Sequence, residues 1–299
     1  MKIAITGASG FIGRRLQAAL TGHSLAVLSR RADTRVSMGA APLLWNPMAG
    51  PPDPAALSGT DALIHLAGEP VAQRWTAAAK ARIRESRVTG TANLVRGLGR
   101  SNPRPSVLVC ASAIGYYGAR GDEVLDEQAS PGSGFLPEVC VAWEREAQTA
   151  EALGIRVVRV RIGIVLAPEG GALQRMLPPF RAGLGGPLGA GKQWMSWIHL
   201  QDLVSLFRHV LENPVSGAVN GTAPHPVTNA EFTRQLAGTL RRPAFLPVPG
   251  FALRALFGEM SEVLLSGQRV VPFAAETSGF RFAWPELGPA LRHLLAESR

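Results

Sequence analysis

The sequence predicts an α/β fold, in which a doubly wound parallel sheet carries a small, mainly helical C-terminal lobe. Two observations support this prediction. Short apolar segments alternate with helical segments up to about residue 165, and this alternation is typical of βαβ units. Glycine and proline clusters then interrupt the rhythm, so the remainder of the chain should form a smaller lobe on the sheet.

Each predicted strand is a short apolar run, and most are followed by a segment with helical spacing of its apolar residues. Strands are expected at 2–6, 24–29, 41–45, 61–68, 106–112 and 155–163. Helices are expected at 11–21, 76–98, 138–153 and 228–240, with Thr228 or Asn229 as the N-cap of the last, and 197–213 should begin as a strand and become a helix. The tail, 251–299, should be helical with breaks. We expect a domain over 1–215, whose loop 165–200 contributes to the cleft, and a small domain over 216–299.

Composition excludes several classes of protein. The chain has 299 residues, of which 46% are apolar and 18% charged, so it can bury a sizeable core. No run approaches the roughly 18 apolar residues of a membrane-spanning helix, which predicts no membrane partner. Cys110 and Cys140 form neither a disulfide framework nor a metal-binding spacing, and the glycine-interrupted N-terminus is a poor secretory signal. We therefore expect a cytoplasmic protein without a metal.

The net charge of +9 does not indicate a nucleic-acid partner. Almost all the basic residues are arginines, and they are scattered along the chain rather than gathered in a stripe or tail. The sequence therefore predicts a small-molecule substrate and no nucleic acid.

The segment ITGASGFIGRRL, residues 5–16, places a glycine-rich turn between the first strand and the first helix. Gly7 permits a tight turn, Gly10 lets the backbone approach a pyrophosphate, and Gly13 lets the helix pack on the sheet. The helix N-terminus would offer N–H groups to the phosphates, and the neighbouring cofactor contacts would be Ser9, Phe11 and Ile12. This pattern predicts a dinucleotide site of the Rossmann type. A plain strand-to-helix turn is the alternative.

The end of the second strand predicts which dinucleotide is bound. An acidic residue here would suit a free ribose 2′-hydroxyl, but this strand ends with Ser29, Arg30 and Arg31. Arginine suits a 2′-phosphate, because its guanidinium forms charge-assisted bonds with phosphate oxygens. We therefore predict NADP(H), although a solvated pair of surface arginines would look the same.

The strand at 61–68 ends in small residues, which leave room for a ribose and the second half of the dinucleotide. The predicted contacts here are Leu66, Ala67, Gly68 and Glu69. His65 lies within the strand among apolar neighbours, so we interpret it as a core histidine rather than a catalytic base.

Several motifs together resemble the extended short-chain dehydrogenase/reductase superfamily, namely TGASGFIG, DALIHLAG, SAIGYYG and WIHLQD. RWTAAAKARIRESRVTGT and GLGGPLGAGKQWMSWIH are similar to an atypical branch, the epimerase family proteins, which carry a C-terminal domain of unassigned role. The resemblance implies that Arg87 reaches toward the cofactor and that homodimers form through helices 76–98 and 138–153. We also predict cofactor contacts at the ends of the later strands, from Ala111, Val160, Arg161 and Gly163.

The superfamily's acid–base pair, a tyrosine and a lysine four residues later, is absent from this chain. The two positions fall near Leu136 and Cys140, neither of which can carry out that proton transfer. The remaining catalytic candidates are Ser112, although the superfamily's serine would align with Ala113, and Tyr116. Lys192 lies on a glycine-rich loop that could close over an anionic substrate. His199 is interpreted as a structural residue.

These observations predict an NADP(H)-dependent oxidoreductase that acts on a small carbonyl or sugar-like substrate. The missing acid–base pair favours an alternative, a catalytically silent NADP(H)-binding protein with a regulatory or scaffold role. A nucleotide-sugar epimerase is a lesser alternative, because that reaction needs the proton relay that the chain lacks.

Overall fold

A seven-stranded parallel sheet forms the centre of the computed structural model, which describes residues 1–34 and 42–296. The strands in chain order are β1 (Lys2–Thr6), β2 (Ser24–Ser29), β3 (Leu43–Leu44), β4 (Ala62–His65), β5 (Val107–Ala113), β6 (Val124–Leu125), β7 (Arg156–Ile162), β8 (Ile164–Ala167), β9 (Trp194–Met195), β10 (Trp197–His199), β11 (Gly217–Gly221), β12 (Val227–Thr228) and β13 (Arg269–Val270). The order across the central sheet is β11-β7-β5-β4-β1-β2-β3, and the other strands form two-stranded ribbons. The predicted doubly wound sheet is confirmed.

Helices cover both faces of the sheet and form most of the C-terminal region. They are α1 (Phe11–Ala19), α2 (Pro54–Leu57), α3 (Ala77–Arg100), α4 (Phe135–Gln148), α5 (Gly171–Arg181), α6 (Leu200–Glu212), α7 (Asn229–Leu240), α8 (Gly250–Phe257), α9 (Ser261–Leu265), α10 (Phe273–Thr277) and α11 (Leu287–Ala296). Within the described residues, three 3-10 turns occupy Ile114–Tyr117, Thr149–Leu153 and Gly258–Met260. No helix in the described ranges is long and apolar enough to cross a membrane.

Alternation along the strands divides the core into two layers. Ile3 and Ile5 of β1 pack on the face that carries α1, α5 and α6, whereas Ala4 faces α3 and α4. This period of two is the consequence of the pleat, which points successive side chains to opposite faces. Because both faces are buried, the strands are nearly continuous in apolar residues.

The structure corrects several predicted bounds. The long helix of the fifth βα unit begins at Phe135 rather than 138, directly after Gly134, whose φ of 100° suits glycine. Helix α5 was not predicted, because its prolines, Pro178 and Pro179, mask the helical pattern. Of the strand predicted at 41–45, residue 41 lies outside the described residues and the strand itself is Leu43–Leu44.

One edge strand of the sheet, β11, lies beyond the predicted domain boundary at 215/216. Gly217–Gly221 pairs in parallel with β7, so the sheet continues into the range that the sequence assigned to the small domain. Thr228, one of the two predicted N-caps, accepts a hydrogen bond from the Glu231 backbone N–H at 3.3 Å and begins α7. The division into two domains remains a prediction.

Candidate functional site

The turn between β1 and α1 is closely packed against the end of β4. Gly7 has a φ of 70°, and a Cβ added to it would lie 2.8 Å from the carbonyl carbon of Leu66 and from the amide nitrogen of Ala67. A Cβ added to Gly13 would lie 2.4 Å from the Gly7 carbonyl oxygen. Glycine at both positions therefore lets β1, α1 and β4 approach one another, as the sequence pattern predicts.

Gly10 differs from Gly7 and Gly13, because a side chain added to it would face mostly open space. An added Cβ would meet only the Gly7 carbonyl oxygen, at 3.1 Å. Gly10 is the N-cap of α1, no side chain caps this helix, and its first turn holds no acidic residue. The N–H groups of the first turn are thus left for an external anion, and the Arg14 guanidinium donates to the Ser9 carbonyl oxygen at 2.9 Å beside them. These residues fit a dinucleotide diphosphate.

Phe11 and Ile12 begin α1 and are half-buried. A Cβ added to Gly170 would lie 2.3 Å from the Phe11 ring, so this ring packs on the segment after β8. The ring thereby fixes the start of α1 relative to the sheet.

The residues predicted to bind the 2′-phosphate lie together where β2 ends, beside the turn between β1 and α1. The Ser29 hydroxyl accepts a hydrogen bond from the Arg31 backbone N–H at 3.1 Å. Arg31 forms an exposed ion pair with Asp33 at 2.6 Å, and Arg30 is also exposed. An exposed ion pair contributes little stability, so an anionic ligand can compete with Asp33 for the guanidinium at low cost.

Thr6 and His65 tie the ends of β1 and β4 together. The Thr6 hydroxyl accepts from the backbone N–H groups of Leu66 and Ala67, both at 3.2 Å, and therefore donates to His65 Nδ1 at 2.6 Å. His65 Nε2 donates in turn to the Thr91 hydroxyl at 3.0 Å. Burial, reinforced by the positive charge of Arg87, lowers the pKa of His65 to about 4. The geometry supports the interpretation of His65 as a structural residue.

Arg87 brings a positive charge to the carboxyl end of β4. Its guanidinium donates to the carbonyl oxygens of Glu69 and Ile83, at 2.9 and 3.2 Å, and lies 5.1 Å from the Trp143 ring centre. A Cβ added to Gly68 would lie 3.2 Å from the Cζ atom of Arg87. No carboxylate in the described part of the chain forms an ion pair with it, and burial lowers its pKa. A half-buried cation that donates only to carbonyl oxygens in the described residues is suited to a ligand rich in oxygen.

Helix α4 presents an unreactive surface where the superfamily's acid–base pair would lie. Leu136 and Cys140 both face Gly115, with Leu136 Cβ 3.4 Å and Cys140 Sγ 3.9 Å from a Cβ built there. Burial, together with the nearby charge of Glu144, raises the pKa of Cys140 to about 12. Neither residue can exchange a proton with a ligand at neutral pH.

Ser112 and Arg161 face each other across β5 and β7, and Glu144 of α4 binds both. The Ser112 hydroxyl donates to Glu144 Oε1 at 2.7 Å. Arg161 donates from Nε to Oε1 at 2.8 Å and from Nη2 to Oε2 at 2.9 Å. All three side chains are buried. Because the Ser112 proton is held by Glu144, Ser112 can offer a ligand only its lone pairs.

The two tyrosines of the chain have different environments. The Tyr117 hydroxyl accepts from Arg161 Nη1 at 2.9 Å and donates to Asn220 Oδ1 at 2.7 Å, and burial raises its pKa to about 12. Tyr116 is half-buried, with its ring centre 3.5 Å from the Arg161 Cζ atom. Unlike that of Tyr117, the Tyr116 hydroxyl has no hydrogen-bond partner within residues 1–34 and 42–296. Tyr116 is therefore the tyrosine whose hydroxyl is available to a ligand.

The remaining predicted cofactor residues lie within or after β4, β5 and β7. Ala111 and Val160 are buried in the sheet, and Glu69 carries a half-buried carboxylate that accepts from Gln73 at 3.2 Å. A Cβ added to Gly163 would lie 2.4 Å from the Ser196 carbonyl oxygen, so this glycine permits close packing of β8 on β10.

The glycine-rich loop 183–191 is attached to the C-terminal region. The Gln193 amide donates to the carbonyl oxygens of Leu188 and Leu264, at 3.1 and 3.0 Å, whereas Lys192 is exposed.

His199 is the N-cap of α6. Its Nδ1 accepts a hydrogen bond from the Gln201 backbone N–H at 3.0 Å, and its Nε2 lies 3.1 Å from His293 Nδ1. Burial, reinforced by His293, lowers the pKa of His199 to about 4. These contacts favour a structural role for His199.

Sequence reasoning missed the residues that organise the site, namely Thr6, Glu144 and Asn220. Glu144 lies one turn after Cys140 on α4, and an acidic residue on the apolar side of that helix is the signal that the sequence offers. Its partner Arg161 is 17 residues away along the chain. In the described ranges, no cluster of three metal-ligating side chains occurs.

Comparison with known proteins identifies the family. The pattern described as the NAD dependent epimerase/dehydratase family matches residues 3–223, and a domain of unknown function matches residues 248–294. Epimerase family protein Mb2239 of Mycobacterium bovis is 45% identical over 292 residues, which are 97% of this chain and 96% of the relative.

Two solved structures extend the comparison. A crystal structure of human epimerase family protein SDR39U1 (isoform 2) with NADPH is 34% identical, covers 99% of both chains and has a TM-score of 0.88. MoeE5 in complex with UDP-glucose and NAD is 20% identical, covers 100% of this chain and 99% of its own, and with a TM-score of 0.76 shows a shared fold alone. The chain therefore belongs to the NAD dependent epimerase/dehydratase family and carries that family's fold together with the C-terminal domain of unknown function.

Proposed function

We propose that this protein binds NADP(H) and is an oxidoreductase acting on a small carbonyl or sugar-like substrate. The observation that carries the proposal is the turn between β1 and α1, where Gly10 leaves open space in front of an uncapped helix N-terminus. Such a helix end binds phosphate through its N–H groups and its partial positive charge.

Two further observations support NADP(H) over NAD(H). Ser29, Arg30 and Arg31 lie together at the end of β2, where a ribose 2′-phosphate is held in this type of fold. The human relative with NADPH, at 34% identity, shares the fold over nearly the whole chain. Guanidinium groups at this position favour the phosphate, because charge-assisted hydrogen bonds are about twice as strong as neutral ones.

The residues of the site have separate tasks in this proposal. The cofactor, when bound, supplies or accepts a hydride. The turn at Gly7 and Gly10 holds the diphosphate, and the end of β4 at Ala67 and Gly68 leaves room for the second nucleotide half. Arg87 offers its guanidinium to oxygen atoms on that side of the site.

Tyr116 is the side chain that we propose for proton transfer. Its hydroxyl is the one not engaged elsewhere in the described chain, and the Arg161 guanidinium holds its ring in place. Ser112 has a different role, because its proton is directed to Glu144. It can accept a hydrogen bond from a hydroxyl or amide of a ligand, but it cannot polarise a carbonyl by donating one.

A specific observation favours the alternative, a catalytically silent NADP(H)-binding protein. Leu136 and Cys140 pack against Gly115, so the side chains at the two superfamily positions on α4 provide neither an acid nor a base. Such a protein would keep the cofactor site and respond to the redox state of the nicotinamide. A nucleotide-sugar epimerase is less well supported, since epimerisation requires a proton relay at a sugar hydroxyl.

The substrate class, the location and the oligomeric state of the protein are also part of this proposal. A small-molecule substrate, a cytoplasmic location and a homodimer formed through α3 and α4 are all consistent with the composition and with the resemblance to extended relatives. Size-exclusion chromatography with light scattering would measure the oligomeric state directly.

The proposal is tested by titration of the purified protein with NADPH and NADH in a calorimeter. The same sample is then mixed with NADPH and a panel of carbonyl compounds, and the nicotinamide absorbance is followed. Tight NADPH binding with turnover is the expected result. Binding without turnover would support the silent alternative, and the absence of binding would overturn both.

A further inference from the structure

Five large apolar side chains protrude from the C-terminal region and from the glycine-rich loop beside it. We call this set the apolar tip, and its members are Leu184, Phe245, Leu246, Phe251 and Leu256. Phe245 and Phe251 expose 73% and 75% of their surface to solvent, and Leu256 exposes 66%. A single exposed apolar residue needs no explanation, but a contiguous group marks an interaction surface.

The members of the apolar tip come from two segments that lie side by side. The Leu246 backbone N–H donates to the Gly185 carbonyl oxygen at 3.4 Å, which places Phe245 and Leu246 beside Leu184. The Val248 backbone N–H donates to the Pro187 carbonyl oxygen at 2.9 Å, two residues before α8 begins. Phe251 and Leu256 then follow at exposed positions of α8. The members of the tip therefore belong to two neighbouring segments rather than to five unrelated ones.

Positive charge predominates around the apolar tip, although the exposed Glu259 and Glu262 follow directly after α8. The segments 181–193 and 241–258 contain no aspartate or glutamate, and their five basic residues are Arg181, Lys192, Arg241, Arg242 and Arg254. Arg241, Arg242 and Arg254 are exposed. Glu259 is paired with Lys80, so the rim remains mainly basic. An apolar surface inside such a rim is complementary to a partner that is apolar beneath a negatively charged surface.

We propose that the apolar tip docks on membranes that contain anionic phospholipids. The phenylalanine and leucine side chains enter the region between the headgroups and the acyl chains, and the arginines and Lys192 contact the phosphates. The absence of a spanning segment, on which the prediction of no membrane partner rested, does not bear on this contact. A helix that lies on a membrane needs an apolar face and basic neighbours rather than a long apolar run.

Two other occupants fit the observations less well. A second copy of this chain, related by a two-fold axis, would place one basic rim against the other, and like charges repel across such an interface. A peptide helix would need a groove in which to lie. Side chains that expose three quarters of their surface form a projection instead, and a projection is suited to insertion into lipid.

The test is flotation of the full-length protein with lipid vesicles, without cofactor. The vesicles consist of phosphatidylcholine alone, or of phosphatidylcholine with phosphatidylglycerol. We expect binding to the mixed vesicles only, and weaker binding at high salt because salt screens the basic rim. The double variant Phe245→Ser/Phe251→Ser should bind more than about tenfold more weakly, since two large aromatic side chains no longer enter the lipid. Arg242→Gln should bind about fivefold more weakly.

A matched control is Phe273→Ser, which removes an exposed phenylalanine from α10, outside the apolar tip. Its vesicle binding should equal that of the unaltered protein, and thermal unfolding should show that all variants remain folded. Absence of binding by the unaltered protein would overturn the proposal. So would binding that the double variant retains, because the contact would then be made by the general positive charge. A dimer that the double variant dissociates, without vesicle binding, would assign the tip to a second copy.

Discussion

Glu144 on α4 and Arg161 on β7 form a buried ion pair with two parallel hydrogen bonds, of 2.8 and 2.9 Å. Burial opposes the charge on Arg161, but the hydrogen bonds and charge of Glu144 outweigh it and raise the pKa of this guanidinium. The same carboxylate accepts a hydrogen bond from the Ser112 hydroxyl, and the same guanidinium packs against the face of the Tyr116 ring. One pair of residues therefore positions both of the proposed catalytic side chains.

Glu144→Gln should destabilise the protein strongly. The variant leaves the Arg161 charge buried without a counter-ion, which costs about 3–5 kcal/mol in comparable cases. The free energy of unfolding would be measured with urea. Glu85→Gln, an exposed change on α3, is the control and should alter it by less than about 0.5 kcal/mol. Equal effects of the two changes would mean that the pair contributes nothing.

Gly10→Ala should abolish cofactor binding while the fold is retained. The φ of Gly10 is −71° within an extended conformation, and the added Cβ would meet only one oxygen, at 3.1 Å, so the cost in stability should stay within about 1 kcal/mol. The methyl group would nevertheless occupy the space proposed for the diphosphate. Calorimetric titration with NADPH checks this.

Two other glycines serve as controls for that substitution. Gly22→Ala introduces a methyl group with nothing within 4 Å and should bind NADPH normally. Gly7→Ala should unfold the turn, because its φ is 70° and its Cβ would lie 2.8 Å from backbone atoms of β4. NADPH affinity that survives in Gly10→Ala would show that the phosphates bind elsewhere.

The double variant Arg30→Ala/Arg31→Ala should lower the affinity for NADPH and leave that for NADH unchanged. A hydrogen bond to a charged group contributes about 1.5–3 kcal/mol, so the affinity ratio of the two cofactors should fall by more than about tenfold. Arg84→Ala, an exposed arginine on α3, is the control and should leave the ratio as it is. If the ratio did not change in the double variant, the 2′-phosphate would lie elsewhere.

Tyr116→Phe and Tyr117→Phe should separate catalysis from stability. Tyr116→Phe removes the hydroxyl proposed for proton transfer, so turnover should fall by about a hundredfold or more with unchanged stability. Tyr117→Phe removes two buried hydrogen bonds and should lower the free energy of unfolding by about 1–3 kcal/mol. Once a substrate is found, steady-state kinetics and urea unfolding measure both effects. Full turnover by Tyr116→Phe would exclude it as the proton donor.

Stability should decrease as the pH falls from about 6.5 to 5, because two buried histidines resist protonation. His65 and His199 have pKa values of about 4 in the folded chain. In the unfolded chain they take up protons near pH 6.5, so the unfolded state binds more protons in this window and becomes favoured. Each histidine contributes up to about 1.4 kcal/mol per pH unit.

The pH dependence is measured by urea unfolding at a series of pH values. His65→Gln should reduce the slope, whereas His225→Gln, at an exposed position, should leave it unchanged. A slope that His65→Gln does not reduce would mean that His65 is protonated in the folded protein.

Much of the fold could be predicted because its signals are local. The strand at 2–6, the turn at Gly7 and the helix that begins at Phe11 all follow from neighbouring residues, and the structure places them as expected. Extended backbone, turns and helix starts depend on steric preferences and on hydrogen bonds within a few residues. The ribbons that β6 forms with β13 and β9 forms with β12 were missed, because strands of two residues carry no periodic pattern.

The glycine-rich turn after β1 and the family were likewise predicted from the sequence alone, since each depends on contiguous motifs. Only the tertiary structure decided which polar groups are available to a ligand. It showed that Ser112 donates to Glu144, that Tyr117 is buried and Tyr116 is not, and that Arg87 reaches Gly68. Such pairings join residues far apart in the chain, and burial and hydrogen bonding are properties of the packed neighbourhood that no local pattern encodes.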